Sequence, residues 1–175
     1  MCTNGFVSGW YLIYTRPRHE KKVHAQLTDN LIDSFLPTRK TLRTWHDRKK
    51  YIDEPLFPSY VFVRLESRQS FHTGMDTDGY LYYVRTGKEI ARVKDSVVDS
   101  IKLIMSRNQE IEVSDRCFQA GQQMVIREGA LTGLPCEVVR WNNKKKLLVR
   151  VDLLQRSLLL NVPEDFLVPQ SSISL

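Results

Sequence analysis

The side chains able to hold a metal or carry covalent chemistry are scattered through this chain. Four histidines, His19, His24, His46 and His72, make no HExxH pair and no Cys/His cluster with ligand spacing. His19 and His24 are five positions apart and off a shared helical face, so no zinc site is expected. Cys2, Cys117 and Cys136 are odd in number and widely separated, which reads as reduced thiols with no disulfide framework and no CxxC clip. A GxSxG elbow, a Walker loop and a GxGxxG turn are all missing, and Gly129-Ala130-Leu131-Thr132-Gly133 lacks the lysine that a phosphate cradle needs. The carboxylate pairs Asp53-Glu54 and Glu110 with Glu112 fall in polar segments where nothing would raise a pKa for general-acid work. The expectation is a protein that binds, with no catalytic residue, metal or cofactor.

Two groups of residues are suited to binding. In Glu54-Pro55-Leu56-Phe57-Pro58-Ser59-Tyr60-Val61-Phe62-Val63, the prolines fix their own φ and push the residues before them out of the helical region, which holds Phe57 extended at the lip of a strand. Its aromatic side chains serve either as ordinary core packing beside a turn or as contact anchors for a partner. The second group is electrostatic: between Arg16 and Lys50 the chain carries ten basic residues against four acidic ones, Glu20, Asp29, Asp33 and Asp47. Such clustering points to phosphate contact, since lysine and arginine gain binding free energy by releasing counterions from nucleic acid; a solvated loop is the alternative.

These groups must be positioned by a chain of 175 residues, 42% apolar and 26% charged, with a formal charge of +6, a soluble globular profile. No apolar run approaches the roughly 18 residues that span a bilayer, and Met1-Cys2-Thr3-Asn4-Gly5 has no basic-then-apolar export signal, so a cytoplasmic protein is expected. Trp10 to Tyr14 is apolar on both faces and predicts a buried strand. Pro17 suits a first helical turn, and Val23, Leu27 and Leu31 recur every four residues, predicting a helix with Arg18, Lys21 and Lys22 outward. Further strands are expected at 34–36, 60–65 and 80–85, an extended excursion or hairpin at 39–51, a short helix or turn at 67–75, and a helix opened by Asp95 or Ser96 with the stripe Val97, Ile101, Ile104 and Met105. This is an α+β domain over residues 8–107, with helices on one antiparallel sheet. Residues 108–119 lose all periodicity and read as a linker. After them Gly121, Gly129, Gly133, Pro135 and the pair Asn142-Asn143 punctuate short strands, predicting a small five-stranded β-barrel over residues 120–170.

In this order, Trp10-Tyr11, Phe57-Pro58-Ser59-Tyr60-Val61-Phe62-Val63 after a basic excursion, and a glycine-punctuated barrel opening Gly121-Gln122-Gln123-Met124-Val125-Ile126-Arg127-Glu128-Gly129 resemble the NusG family of transcription elongation factors from about Gly9 to Pro169. The opening Trp10 to Val23 is similar to that of specialised members, the RfaH and UpxY types, the latter acting on capsular polysaccharide operons. The resemblance implies an N-terminal NGN domain that docks on the clamp helices of RNA polymerase and a C-terminal KOW barrel, SH3-like, on a tether. It implies that Tyr14, Phe57, Pro58, Tyr60 and Phe62 form the apolar pocket for the clamp, with Thr86 where RfaH-like proteins carry another aromatic. His72-Thr73 resembles two thirds of the His-Thr-Thr motif used toward the polymerase gate loop, with Gly74 in third place; a hydroxyl-capped turn is the alternative. Arg16, Arg18 and Lys21 fall at the basic surface that meets the non-template DNA strand.

In the barrel, Gly129 to Gly133 resembles the KOW turn. Leu153-Leu154-Gln155-Arg156 replaces the aromatic-glycine pair that NusG uses toward the ribosome or Rho. Leu158-Leu159-Leu160 would suit the helical refolding seen in RfaH, against which Pro163 and the β-branched strands argue. The expected function is non-enzymatic antitermination, suppressing pausing or termination on surface-polysaccharide operons; a ribosome- or RNA-binding KOW protein linked to translation is the alternative.

Overall fold

The computed structural model describes residues 6–45, 48–106, 111–114, 121–128, 131–132, 134–141, 144–151, 154, 156–161 and 167–169. The expected turns at Asn142-Asn143 and Gly129 to Gly133, most of the expected linker, and Cys2, His46, Cys117, Leu153, Gln155 and Pro163 lie outside the described residues in whole or in part. The chain divides into two compact units between Asp95 and Ser96.

The first unit is built on β1 (Gly9–Thr15), whose apolar run on both faces is what a central strand needs. It pairs antiparallel with β5 (Tyr60–Leu65) on one side, and with β6 (Tyr80–Tyr83) and the short β9 (Arg92–Val93) on the other. β2 (Ser34–Phe35) completes a five-stranded sheet along the far edge of β5. One face, carrying Tyr11, Ile13, Val61, Val63 and Tyr83, packs with Val23 and Leu27 of α1 (Glu20–Asp29) and with Phe71 of α2 (Arg68–Met75). Burying each such side chain stabilises the unit by about 1.5–3 kcal/mol. The opposite face carries Trp10, Leu12, Tyr14, Tyr60, Phe62 and Tyr82 in register.

α1 is shorter than its apolar spacing predicts. It starts at Glu20 because Arg18 sits at φ 65, and it ends at Asp29 in a Schellman turn: Ile32 N–H donates to Leu27 O at 2.9 Å and Leu31 N–H to Thr28 O at 2.9 Å. Leu31 thereby occupies the left-handed position at φ 58 and is 95% exposed, while Ile32 takes the core position expected of Leu31. α2 is capped as a hydroxyl turn, Ser67 Oγ accepting from Ser70 N–H at 3.1 Å.

The excursion at 39–51 is a hairpin, β3 (Thr38–Trp45) on β4 (Arg48–Pro55), which pairs with no other strand among the described residues. Two short strands, β7 (Arg85–Thr86) and β8 (Glu89–Ile90), form another ribbon and cut short the single strand expected over 80–85.

α3 (Asp95–Ser106), buried along Val98, Ile101 and Ile104, falls from Ser96 onward in the second unit. Among the described residues its sheet has six strands, one more than expected. The additional strand, β10 (Ile111–Ser114), lies in the expected linker and pairs with β14 (Arg156–Leu160). Its polar composition hid it: only Ile111 and Val113 are apolar, both are half-buried, and the Glu112 carboxylate accepts from the buried Lys146 ammonium. β14 continues to β13 (Lys144–Val151), β12 (Pro135–Trp141), β11 (Gln122–Ile126) and β15 (Leu167–Pro169). Leu158, Leu159 and Leu160 are thus buried strand residues.

Arg150 grips Glu137 through Nε to Oε1 at 2.7 Å and a second nitrogen to Oε2 at 3.0 Å, and this hydrogen-bonded guanidinium holds the carboxyl below its ordinary range. The Cys136 thiol is buried, which pushes its pKa up to about 11 and keeps it protonated.

Candidate functional site

The proline-flanked turn is fixed from three directions. Thr15 N–H donates to Ser59 O at 2.8 Å, Tyr60 N–H to Phe57 O at 3.2 Å, and Ser59 N–H to Oε1 of Glu20 at 2.7 Å. Glu20 comes from the first turn of α1, where the helix dipole favours a carboxylate, and it is only 5% exposed. Ser59 is held at φ 66, a left-handed conformation that turns the chain sharply between the exposed Pro58 and the half-buried Tyr60.

Beside this turn three tyrosines meet across three strands. Tyr14 of β1 lies opposite Tyr60 of β5 and opposite Tyr82 of β6, so all three project from one face. Tyr14 and Tyr82 are stacked, with ring centroids 5.0 Å apart and planes 21° apart, and Tyr60 meets Tyr14 edge-on at 5.1 Å and 65°. Tyr82 is 52% exposed and the neighbouring Leu81 also lies open.

Five residues were expected to line one apolar pocket, and the structure separates them. Tyr14, Tyr60 and Pro58 reach the surface, whereas Phe57 and Phe62 are 2% and 0% exposed. These two rings pack edge to face at 6.1 Å, and Phe35 closes on Phe62 at 5.9 Å. In this chain the two phenylalanines are covered packing residues. Their all-carbon rings gain most from burial, while each tyrosine keeps a hydroxyl that is best left near water. Tyr82 was missed. The signal was present in Tyr80-Leu81-Tyr82-Tyr83, whose alternation puts Tyr82 and Tyr83 on opposite faces, yet only strand pairing shows which face meets Tyr14. Thr86, singled out beside the pocket, lies in the β7–β8 ribbon, opposite Glu89.

His72 is exposed in the last turn of α2, edge-on to Phe71 at 5.4 Å. Thr73 is half-buried, donates to Gln69 O at 3.0 Å, and lines a polar hollow of about 330 Å³ with Asn30, Arg64 and Ser67. Gly74, where the resemblance would place threonine, has a local cause: a Cβ there would stand 2.1 Å from the Tyr83 hydroxyl, which donates to Phe71 O at 2.9 Å. Burial raises the Tyr83 pKa far above that of a free phenol.

Arg16, Arg18 and Lys21 are all exposed around the start of α1. Arg16 lies 4.0 Å from Asp78, which also accepts from the Lys22 ammonium. The hydrogen bond from Lys22 is the main reason that the Asp78 carboxyl sits below its ordinary range, with His19 and Arg16 adding to it. Arg16 is thus partly neutralised by this chain's own acid. Behind it, Arg16 N–H donates to Gly79 O at 2.8 Å; Gly79 has φ +108 and a Cβ there would meet His19 Cβ at 2.7 Å.

Among the described residues no group of three His, Cys, Asp or Glu could hold a metal ion, and no helix is long and apolar enough to cross a membrane.

Comparison with known proteins supplies the family. The Transcription termination/antitermination protein NusG of Streptococcus pyogenes is 26% identical over 160 residues, covering 85% of this chain and 89% of that protein. The protein of the same name from Lactococcus lactis is 25% identical over 164 residues, covering 87% and 88%. A solved structure of Thermotoga maritima NusG superimposes with a TM-score of 0.54 at 18% identity, over 94% of this chain and 98% of that one, and so shares its fold. A family model described as Transcription termination factor nusG matches residues 8–102, more than half of the chain, and the chain belongs to the NusG family.

Proposed function

We propose that this chain is a transcription antitermination and elongation factor that docks on the RNA polymerase clamp through the patch of Tyr14, Tyr60 and Tyr82, with Pro58 at its lip. The carrying observation is the cluster of three tyrosines on one sheet face, the exposed Tyr82 stacked on the half-buried Tyr14 and the half-buried Tyr60 edge-on to it, beside a turn pinned by a buried carboxylate. Tyrosine rings offer large contact area at low entropic cost, and two or three such anchors dominate a typical interface. In this reading Phe57 and Phe62 support the patch from within. His72 and Thr73 meet the gate loop, and contact with both jaws favours the closed clamp by differential affinity, which is how pausing and termination are suppressed. Arg16, Arg18 and Lys21 face the non-template strand, Arg18 and Lys21 carrying more of the attraction than the partly neutralised Arg16. The resemblance of Trp10 to Val23 to UpxY-type proteins supports capsular or other surface-polysaccharide operons as targets, and in this reading the C-terminal β-rich domain, as a KOW module, engages the ribosome or Rho.

The burial of Phe57 and Phe62 removes two rings from the surface and favours a second reading, a ribosome- or RNA-binding protein linked to translation. One experiment separates the two. Purified polymerase transcribes through a terminator and a pause site with wild-type protein, with Tyr14→Ala and with Tyr82→Ala. Read-through that rises with wild type, together with polymerase affinity that falls about tenfold or more in each variant, supports docking through the patch. No effect on read-through, with retained binding to ribosomes, removes the polymerase reading.

A further inference from the structure

We propose that Asp78 is a built-in competitor for nucleic acid, a carboxylate that stands where a phosphate would bind on the basic start of α1. The inference rests on the reading of Arg16, Arg18 and Lys21 as a surface for the non-template strand, and it gives that surface a regulator.

Asp78 is held in place from both sides of its loop. Before it, the buried Thr77 donates through Oγ1 to Gly74 O at 2.8 Å, and its carbonyl accepts from Tyr80 N–H at 3.0 Å. After it, Gly79 O accepts from Arg16 N–H at 2.8 Å. Gln26 of α1 grips Asp78 directly: its Oε1 accepts the Asp78 N–H at 3.0 Å, and its Nε2 donates to Asp78 O at 3.3 Å. Lys22 lies one helical turn before Gln26, so one face of α1 supplies both the amide that fixes this backbone and the ammonium that meets the side chain.

The cations around the start of α1 then divide in two. One Asp78 oxygen accepts from the Lys22 ammonium and the other lies 4.0 Å from the Arg16 guanidinium, a pair of cations of the kind that a phosphate also uses. Arg18 and Lys21 pair with no acid among the described residues. Arg16, Lys22 and Asp78 are each more than half exposed, so their pairing adds little to folding. Its consequence falls on a competing anion. A single phosphate gains nothing over a carboxylate tethered beside the same cations at high effective concentration. A strand whose neighbouring phosphates already meet Arg18 and Lys21 is tethered as well, and it displaces Asp78 from Lys22 and Arg16. Asp78 thereby lowers the affinity for nucleic acid and holds Lys22 in reserve.

The test is fluorescence anisotropy with the full chain and a labelled random-sequence single strand, over a salt series. Asp78→Asn keeps the backbone that Gln26 grips and removes the charge. Affinity at low salt should rise about threefold to tenfold, and the slope of log K against log salt should steepen by about 0.7 for each cation released to a phosphate. Asp78→Ser should do the same, and because the expected change is a gain, a poorly folded variant cannot imitate it. Lys22→Gln should cost less than about twofold in the wild-type background and about threefold or more beside Asp78→Asn, a coupling that a purely structural Asp78 would not produce. Affinity and slope that stay at wild type or fall in both Asp78 variants overturn the proposal, as does a Lys22→Gln effect equal in the two backgrounds. Arg18→Gln with Lys21→Gln tests the underlying reading separately. Loss of strand binding there, with no gain in the Asp78 variants, leaves the DNA surface standing and removes only the competitor; no loss there removes the surface itself, and the proposal with it.

Discussion

The carboxylate of Glu20 accepts the backbone N–H of Ser59 at 2.7 Å across 39 residues of sequence, in a site closed to solvent. It joins the first turn of a basic helix to the turn that presents Pro58 and Tyr60, so the candidate DNA surface and the tyrosine patch share one rigid joint. The left-handed φ of Ser59 costs about 1–2 kcal/mol on its own, and the charge-assisted hydrogen bond offsets that cost.

Glu20→Ala should therefore destabilise the first unit by about 1.5–3 kcal/mol, since it strands a buried N–H, whereas Glu20→Gln keeps an acceptor and should lose less than half as much. Urea denaturation of the two variants measures the difference. Equal losses would mean that the contact is packing alone.

Gly74→Ala ought to behave against helix propensity. An alanine in an open helix position gains about 1 kcal/mol over glycine, but here its Cβ meets the Tyr83 hydroxyl, and overpacking of this kind costs about 1–3 kcal/mol. Adding Tyr83→Phe removes the clashing oxygen and should recover most of the loss, which a double-mutant cycle in thermal denaturation would register as strong positive coupling.

Leu31→Gly is the reverse case. Leu31 sits at φ 58 with its side chain almost wholly in solvent, so glycine relieves left-handed strain and gives up no buried area. Stability should rise by about 0.5–1 kcal/mol, visible as a higher midpoint in urea.

His24 introduces a pH dependence. Burial lowers its pKa below the ordinary value near 6.5, and a ring nitrogen lies 2.7 Å from Ser34 Oγ. The unfolded chain therefore binds more protons than the folded one between the two pKa values. The contribution of His24 is complete above about pH 6.5 and is lost as pH falls through the depressed folded value. His24→Gln should flatten the stability profile in that acidic window relative to wild type; profiles that stay parallel would assign the slope to other groups.

Local composition settled much of this protein. Trp10 to Tyr14 and Tyr60 to Leu65 are apolar on both faces, which suits only a covered strand, and both are paired strands at the heart of the sheet. The short helix or turn expected over 67–75 is α2, and the order of the aromatic run, the basic excursion and the glycine-punctuated strands carried the family. Long-range pairing decided the remainder. Sequence alone cannot tell a covered ring from a partly open one, because Phe62 and Tyr60 have the same parity on the same strand; only the rings and backbone arriving from elsewhere bury the first completely and leave the second half-buried. Tyr82 joined Tyr14 through a register fixed 68 residues away, β10 became a strand because β14 offered it an edge, and Leu31 left the core when Ile32 replaced it beyond the helix end. Periodicity is a property of neighbours in the chain, whereas burial belongs to neighbours in space.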